Sequence, residues 1–264
     1  MRLIRFADNA GRILYGVAES ERRARVIRGD VFGEFEVSSE SVEIRKLLAP
    51  VQPPNIYAMG LNYRSHAREG GAESPPEAPV IFLKATTALI GPGEPIVLPP
   101  SAPDEVDYEA ELAVVIGRRA RDVAPEEALE YVLGYTCAND VSARDCQMRI
   151  DKQWARAKSF DTFCPLGPAI ETGIDPGRLG VRLRLNGRIM QEANTSELVW
   201  DAGRLVSHLS RQFTLPAGTV ILTGTPAGVG CFRKPPVFLR PGDTVEVEID
   251  GIGALSNPVA GPGG

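Results

Sequence analysis

The stretch Asp107-Tyr108-Glu109-Ala110-Glu111-Leu112-Ala113-Val114-Val115-Ile116-Gly117 decides how the rest of the chain is read. Side chains of a strand alternate between its faces. Asp107, Glu109 and Glu111 therefore share one face, while Tyr108, Leu112, Val114 and Ile116 point the other way. Three carboxylates in a row repel, and a solvated strand face is the plainest account of such a pattern. Here Ala113 and Val115 continue the acidic face with apolar residues. The face passes from charge to core within one strand, as at a cleft on a sheet edge that holds a neutralising cation. Asp140, at the end of the next predicted strand (135–139) beyond a helical crossover, offers a third carboxylate. Oxygen ligands alone select hard ions such as Mg²⁺, Mn²⁺ or Ca²⁺, and the chain's two histidines argue against a His-rich zinc site.

Around this strand the pattern is that of a mostly β protein with a few helices (α+β), without the regular strand–helix alternation of a doubly wound sheet. Residues 1–50 read as a small β-rich N-terminal subdomain. Ile13, Tyr15 and Val17 alternate, Phe32, Phe35 and Val37 follow a turn at Arg28-Gly29-Asp30, and 43–48 reads as a helical turn. The proline-rich run from Ala49 to Pro54 breaks the pattern and sets the boundary to a catalytic domain over 51–264. Within that domain, strands are predicted near 56–61, 80–84, 181–185, 219–222 and 245–249. Pro125 and Gly134 bracket a helix over 126–133, and Ser142 with Asp145 fits a helix-entry capping box. Asn186-Gly187 and Asp250-Gly251 are tight-turn signals. Residues 62–77 read as a mobile loop.

With 264 residues, 43% of them hydrophobic and 24% charged, the chain can bury a large core without staples. A net charge of −5 with both signs scattered gives no footprint for nucleic acid or an anionic membrane. Cys137, Cys146, Cys164 and Cys231 form no CxxC or finger spacing, and the amino terminus lacks a signal-peptide pattern, so a cytoplasmic setting is expected. The uncharged run 212–232 is interrupted by Pro216, Gly218, Gly224, Pro226, Gly228 and Gly230, and reads as strand, turn and loop rather than a membrane helix.

Two further features carry chemistry. His66 and Glu69 stand at i, i+3, so one helical turn would bring imidazole and carboxylate together. Taken alone, His66 is more simply a solvated loop histidine, and His208, between Ser207 and Leu209 on a predicted helix, is structural. The glycine-rich run 223–230 lacks the endings of phosphate and dinucleotide loops, yet its amides and the Thr225 hydroxyl suit a carboxylate.

Leu61-Asn62-Tyr63-x-x-His66-Ala67-x-Glu69, Asp107-Tyr108-Glu109-x-Glu111-Leu112, Asn139-Asp140-Val141-Ser142-Ala143-Arg144-Asp145-x-Gln147, Lys158-Ser159-Phe160-Asp161, Thr223-Gly224-Thr225-Pro226-x-Gly228-Val229-Gly230 and Gly251-Ile252-Gly253-x-Leu255-x-Asn257 follow one another in the order seen in the fumarylacetoacetate hydrolase superfamily. Over 55–260 the chain resembles that superfamily. It departs at Leu215-Pro216-Ala217-Gly218-Thr219, where the family usually has Pro-Gly-Asp, a change expected to alter a turn.

The resemblance implies a β-roll catalytic domain, usually a homodimer, with Mg²⁺ or Mn²⁺ held by Glu109, Glu111 and Asp140 and with Asp107 behind them. It also implies a water-activating pair, His66 and Glu69, assisted by Lys158. Arg144, Gln147, Thr225 and Gly224 would surround a small 2-oxo acid, with Lys84 a weaker candidate. The expected reaction is hydrolysis of a carbon–carbon bond in an acylpyruvate or β-diketo acid through an enolate leaving group. The same enolate would serve an isomerase or decarboxylase of 2-hydroxy-diene dioates or oxaloacetate-like acids, as in aromatic-compound catabolism. A non-enzymatic module with a structural cation site is the remaining alternative.

Overall fold

The computed structural model describes residues 1–263 and is built mainly of strands, with three short α-helices, α1 (Arg64–Glu69), α2 (Ala155–Ser159) and α3 (Ala202–Gln212). The strand Ala110–Ile116 is buried along its whole length, its small and branched residues interrupted by one charged side chain, Glu111. It pairs antiparallel with Val132–Asn139 on one side and with Val220–Leu222 on the other. From this centre the large sheet runs outward through Ile56–Gly60, parallel to Val220–Leu222, to the edge strand Val80–Lys84. In the other direction it passes through Cys164–Glu171 to Arg2–Ala7 and the N-terminal meander Ile13–Ala18, Arg23–Gly29 and Phe35–Glu43. The first residues thus prolong the large sheet, with a small cluster of Ile4, Phe6, Ala24 and Ala169 beneath them.

A second sheet, in the order Arg188–Asn194, Gly180–Leu185, Thr244–Ile249, Gly253–Ala260 and Ile96–Val97, packs against the middle of the first. Its opening hairpin turns at Asn186-Gly187, both with positive φ (52° and 79°), the geometry for which the Asn-Gly signal is selected. One apolar cluster spans the two sheets.

Several local expectations are corrected. Residues 107–117 are two strands, Val106–Asp107 and Ala110–Ile116. The first leaves to pair with Ser142–Ala143, and the Asn139 side chain accepts the Glu109 N–H at 3.0 Å across the break. Residues 126–133 give only a 3₁₀ turn, Ala128–Tyr131, before the strand Val132–Asn139 begins. The connection is therefore an antiparallel return and not a helical crossover. Residues 43–48 are extended, because Lys46–Leu47 pairs with the first strand. Ser142 lies in a strand, and Asp145 caps the following π-helical turn Cys146–Ile150 through its own carboxylate, so no capping box forms. The segment 62–77 contains α1, with His66 and Ala67 buried. Between Gln212, which ends α3, and the 3₁₀ turn Gly230–Phe232, the chain is strand, turn and loop as expected, and among the described residues no helix is long and apolar enough to cross a membrane.

Because Leu112 is fully buried in the central strand, Leu112→Ala should lower the unfolding free energy by about 2–5 kcal/mol. Ile189→Ala, at a side chain 45% exposed, should stay within about 0.5 kcal/mol. Denaturant titration with an unchanged slope checks both.

Candidate active site

The broken strand brings its carboxylates to the end of Ala110–Ile116, and Asp140 follows directly from the paired strand, its N–H donating to the Glu109 carbonyl at 2.9 Å. Oxygens of Glu109, Glu111 and Asp140 lie within 4.8 Å of one another, and all three residues are buried. Lys158, on α2, places Nζ 2.8 Å from Glu109 Oε2 and 2.8 Å from Asp140 Oδ2. Lys84, at the end of the edge strand, donates to Asp140 Oδ1 at 2.5 Å and to the Lys158 carbonyl. Arg144 reaches Asp107 at 2.6 Å, Glu109 at 2.7 Å and Gln147 Oε1 at 2.8 Å. Asp107 also accepts the Cys231 N–H at 2.8 Å, so it orients Arg144 from behind the cluster.

The four carboxylates of Asp107, Glu109, Glu111 and Asp140 face the three cations Lys84, Arg144 and Lys158, which leaves one negative charge in excess. Glu111 bears it. It touches no cation, and its hydrogen-bond donor is the Gly224 N–H at 2.5 Å. Burial first, then Asp140 and Glu109 beside it, push the Glu111 carboxyl well above the usual range. For Glu109, burial acts in the same direction, but Lys158 and Arg144 outweigh it and hold the carboxyl below the usual range. Burial would lower the Lys158 ammonium; Asp140 and Glu109 reverse this and raise it. Three oxygen donors with an uncompensated charge are a donor set that fits a hard divalent cation.

His66, Glu109, Arg144, Gln147, Lys158 and Thr225 line one cavity of about 160 Å³, whose remaining wall includes Met59, Phe82, Trp154 and Phe232. Glu69 lies behind His66, with Oε2 3.4 Å from Nδ1, and its carboxylate accepts the Gly228 N–H at 2.9 and 3.1 Å. The single turn of α1 thus makes the pairing that the i, i+3 spacing suggested. Gly224 is not in the cavity lining, because its amide is taken by Glu111. Its φ of +100°, and the 2.8 Å that would separate a Cβ from Asn62 Cβ, explain the glycine.

Two contributors were not legible in the sequence in these roles. Lys84, a weaker candidate for the substrate's surroundings by resemblance, is fully enclosed and paired with Asp140. Gln191, from the second sheet, accepts the Ala110 N–H at 2.8 Å and donates to Thr225 Oγ1 and the Pro226 carbonyl, both at 2.8 Å. His208 is remote, tilted against Trp200 on α3.

The family described as fumarylacetoacetate (FAA) hydrolase, C-terminal, matches residues 55–260, and a family described as Rv2993c-like, N-terminal, matches residues 1–50. The chain belongs to the fumarylacetoacetate hydrolase family. It is 50% identical over 218 residues to a mitochondrial oxaloacetate tautomerase, fahd2, of Xenopus laevis, covering 81% of this chain and 68% of that one. The solved structure of a 5-carboxymethyl-2-hydroxymuconate delta-isomerase from Mycobacterium smegmatis is similar at a TM-score of 0.88 and 45% identity, covering 99% of this chain and all of the other. A fumarylacetoacetate hydrolase from Exiguobacterium antarcticum gives 0.87 and 38%, covering 99% of each chain.

If the carboxylate cluster holds a divalent ion, Mg²⁺ or Mn²⁺ at about one hundred times its dissociation constant should raise the unfolding free energy by about 2.7 kcal/mol. Glu111→Gln keeps the shape and removes the charge, so that gain should largely vanish in thermal unfolding. An equal gain in both proteins would exclude Glu111 as a ligand.

Proposed function

We propose that this protein moves a proton at C3 of a small 2-oxo acid, interconverting its oxo and enol forms or shifting the double bond of a 2-hydroxy-diene dioate. The observation that carries the reading is the small cavity lined by the imidazole of His66, the ammonium of Lys158 and the carboxylate of Glu109, with Glu111 and Asp140 clustered beside Glu109. The names of the tautomerase and isomerase relatives favour it over the hydrolysis expected from the resemblance.

Glu109, Glu111 and Asp140 would hold Mg²⁺ or Mn²⁺, which would supply Lewis-acid charge to the bound acid. Arg144 is rigidly held by Asp107 and Glu109, and with Gln147 and Thr225 it offers donors for the substrate's oxygens. Glu69, facing Nδ1 of His66, favours a proton on that nitrogen and leaves Nε2 as the acceptor. His66 takes the proton from C3, and charge grows on the 2-oxo oxygen, where Lys158 stabilises it. Return of that proton from His66 to the oxygen completes the enol and restores the neutral imidazole, with no water consumed and no σ-bond to carbon other than C–H broken.

The contact between His66 and Glu69 favours one second reading, in which the same imidazole activates water and an acylpyruvate is cleaved. A panel of oxaloacetate, a hydroxymuconate-type dioate and acylpyruvates, with Mg²⁺ present, separates the two. Proton transfer predicts solvent deuterium at C3 and tautomerisation or isomerisation without solvent oxygen in any product. His66→Ala should slow it by about two to four orders of magnitude. Efficient acylpyruvate cleavage with labelled oxygen in the released acid, and no exchange at C3, would establish the hydrolase instead.

A further inference from the structure

The cavity shares a wall with an apolar groove outside it. The rings of Trp154 and Phe82 meet edge to face, centroids 5.4 Å apart at 74°. Both line the cavity of about 160 Å³ on one side and a groove of about 620 Å³ on the other, which runs past Tyr57, Leu83 and Phe213. Three features fix the indole. It lies against Gly60, where a Cβ would stand 2.6 Å from indole Cζ3, so a side chain there would displace it. Phe82 supports it from the strand Val80–Lys84. The turn before it is clamped by Arg156, which donates to both carboxylate oxygens of Asp151 at 2.8 Å. Trp154 also accepts the Lys158 N–H at 3.0 Å, so the wall and the buried ammonium belong to one helical turn.

We infer that Trp154, seated on Gly60 and Phe82, is the specificity-determining wall that confines the site to short 2-oxo acids. The inference rests on the reading of the cavity as an oxo-acid site. An acid held by its carboxylate and oxo oxygens at the polar side has only the apolar side left for its chain. Binding sites for drug-sized molecules span roughly 300–1,000 Å³, so a cavity of about 160 Å³ accommodates a much smaller ligand. A longer chain meets the two rings, and a packed wall resists overfilling. Removing the indole joins the cavity to the groove.

The test compares straight-chain 2-oxo acids, from 2-oxobutyrate to 2-oxooctanoate, in the wild type, Trp154→Ala and Trp154→Leu with Mg²⁺ present. Calorimetry reads binding, and exchange of C3 protons with D₂O reads turnover. Past a cut-off length the wild type should lose about tenfold or more per added methylene. Both variants should raise the preference for 2-oxooctanoate over 2-oxobutyrate by about tenfold or more. An unmoved preference in a folded variant overturns the inference, and Trp154→Leu serves if Trp154→Ala fails to fold. A shifted binding preference without proton exchange keeps the wall and refutes the proton-transfer reading. Exchange with an unmoved preference does the reverse. If none of the acids binds, both fall.

Discussion

Lys158 between Glu109 and Asp140 is the contact on which the site and its surroundings depend. Removing ions from water costs several kcal/mol each, even after relaxation, so the carboxylates at the end of the central strand tolerate burial only with matched cations against them. Two come from short, separate pieces of chain. α2 has five residues, too few to persist as a helix in isolation. It is held by its packing on the strand Val80–Lys84 and by the two charge-assisted bonds of its lysine. Lys84 ties the same strand to Asp140 and to the carbonyl of Lys158. Edge strand, helix and central strand are therefore assembled by one charge cluster, and its shortage of one positive charge is what a divalent ion would answer.

The second sheet contributes through Gln191. The N–H of Ala110, at the break in the acidic strand, goes to the Gln191 side chain, whose amide then holds Thr225 and Pro226. The glycine loop is tied from the other side by Asn62, which donates to the Thr223 carbonyl at 2.7 Å. A loop rich in glycine loses much entropy on ordering. Here three bonds from two buried amide side chains hold it, two at backbone carbonyls and one at the Thr225 hydroxyl, while Gly224 offers its N–H to Glu111.

Much of this was legible because period and spacing report directly on strands and turns. Glu109 and Glu111 share a face by alternation, His66 and Glu69 meet by helical spacing, and Asn186-Gly187 makes its hairpin. The failures have physical causes. Nothing local in residues 107–117 reveals that the Asn139 side chain will take the Glu109 amide and let Asp107 join another ladder. Pro125 and Gly134 mark the ends of a helix, but the strand Val132–Asn139 claims the last of those residues through pairing on both sides. Lys84 and Gln191 sit in strands that look ordinary. Their partners are 56 and 81 residues away, beyond the reach of any periodicity.

Glu69 shows how closely the geometry of the proposed base and the folding of its helix are joined. Both of its oxygens accept the Gly228 N–H, while Oε2 also faces His66. Helix α1 has no side-chain N-cap and six residues, so it gains its stability from docking rather than from itself. The carboxylate that faces His66 is thus the same group that fastens the helix to the loop bearing Thr225. The imidazole reaches the cavity wall only when the helix is seated on that loop, and seating the helix also brings His66 and Phe232 together over the cavity, ring centroids 6.0 Å apart. In the proposed reaction, placement of the base and enclosure of the substrate are consequently one structural condition, met through a single carboxylate.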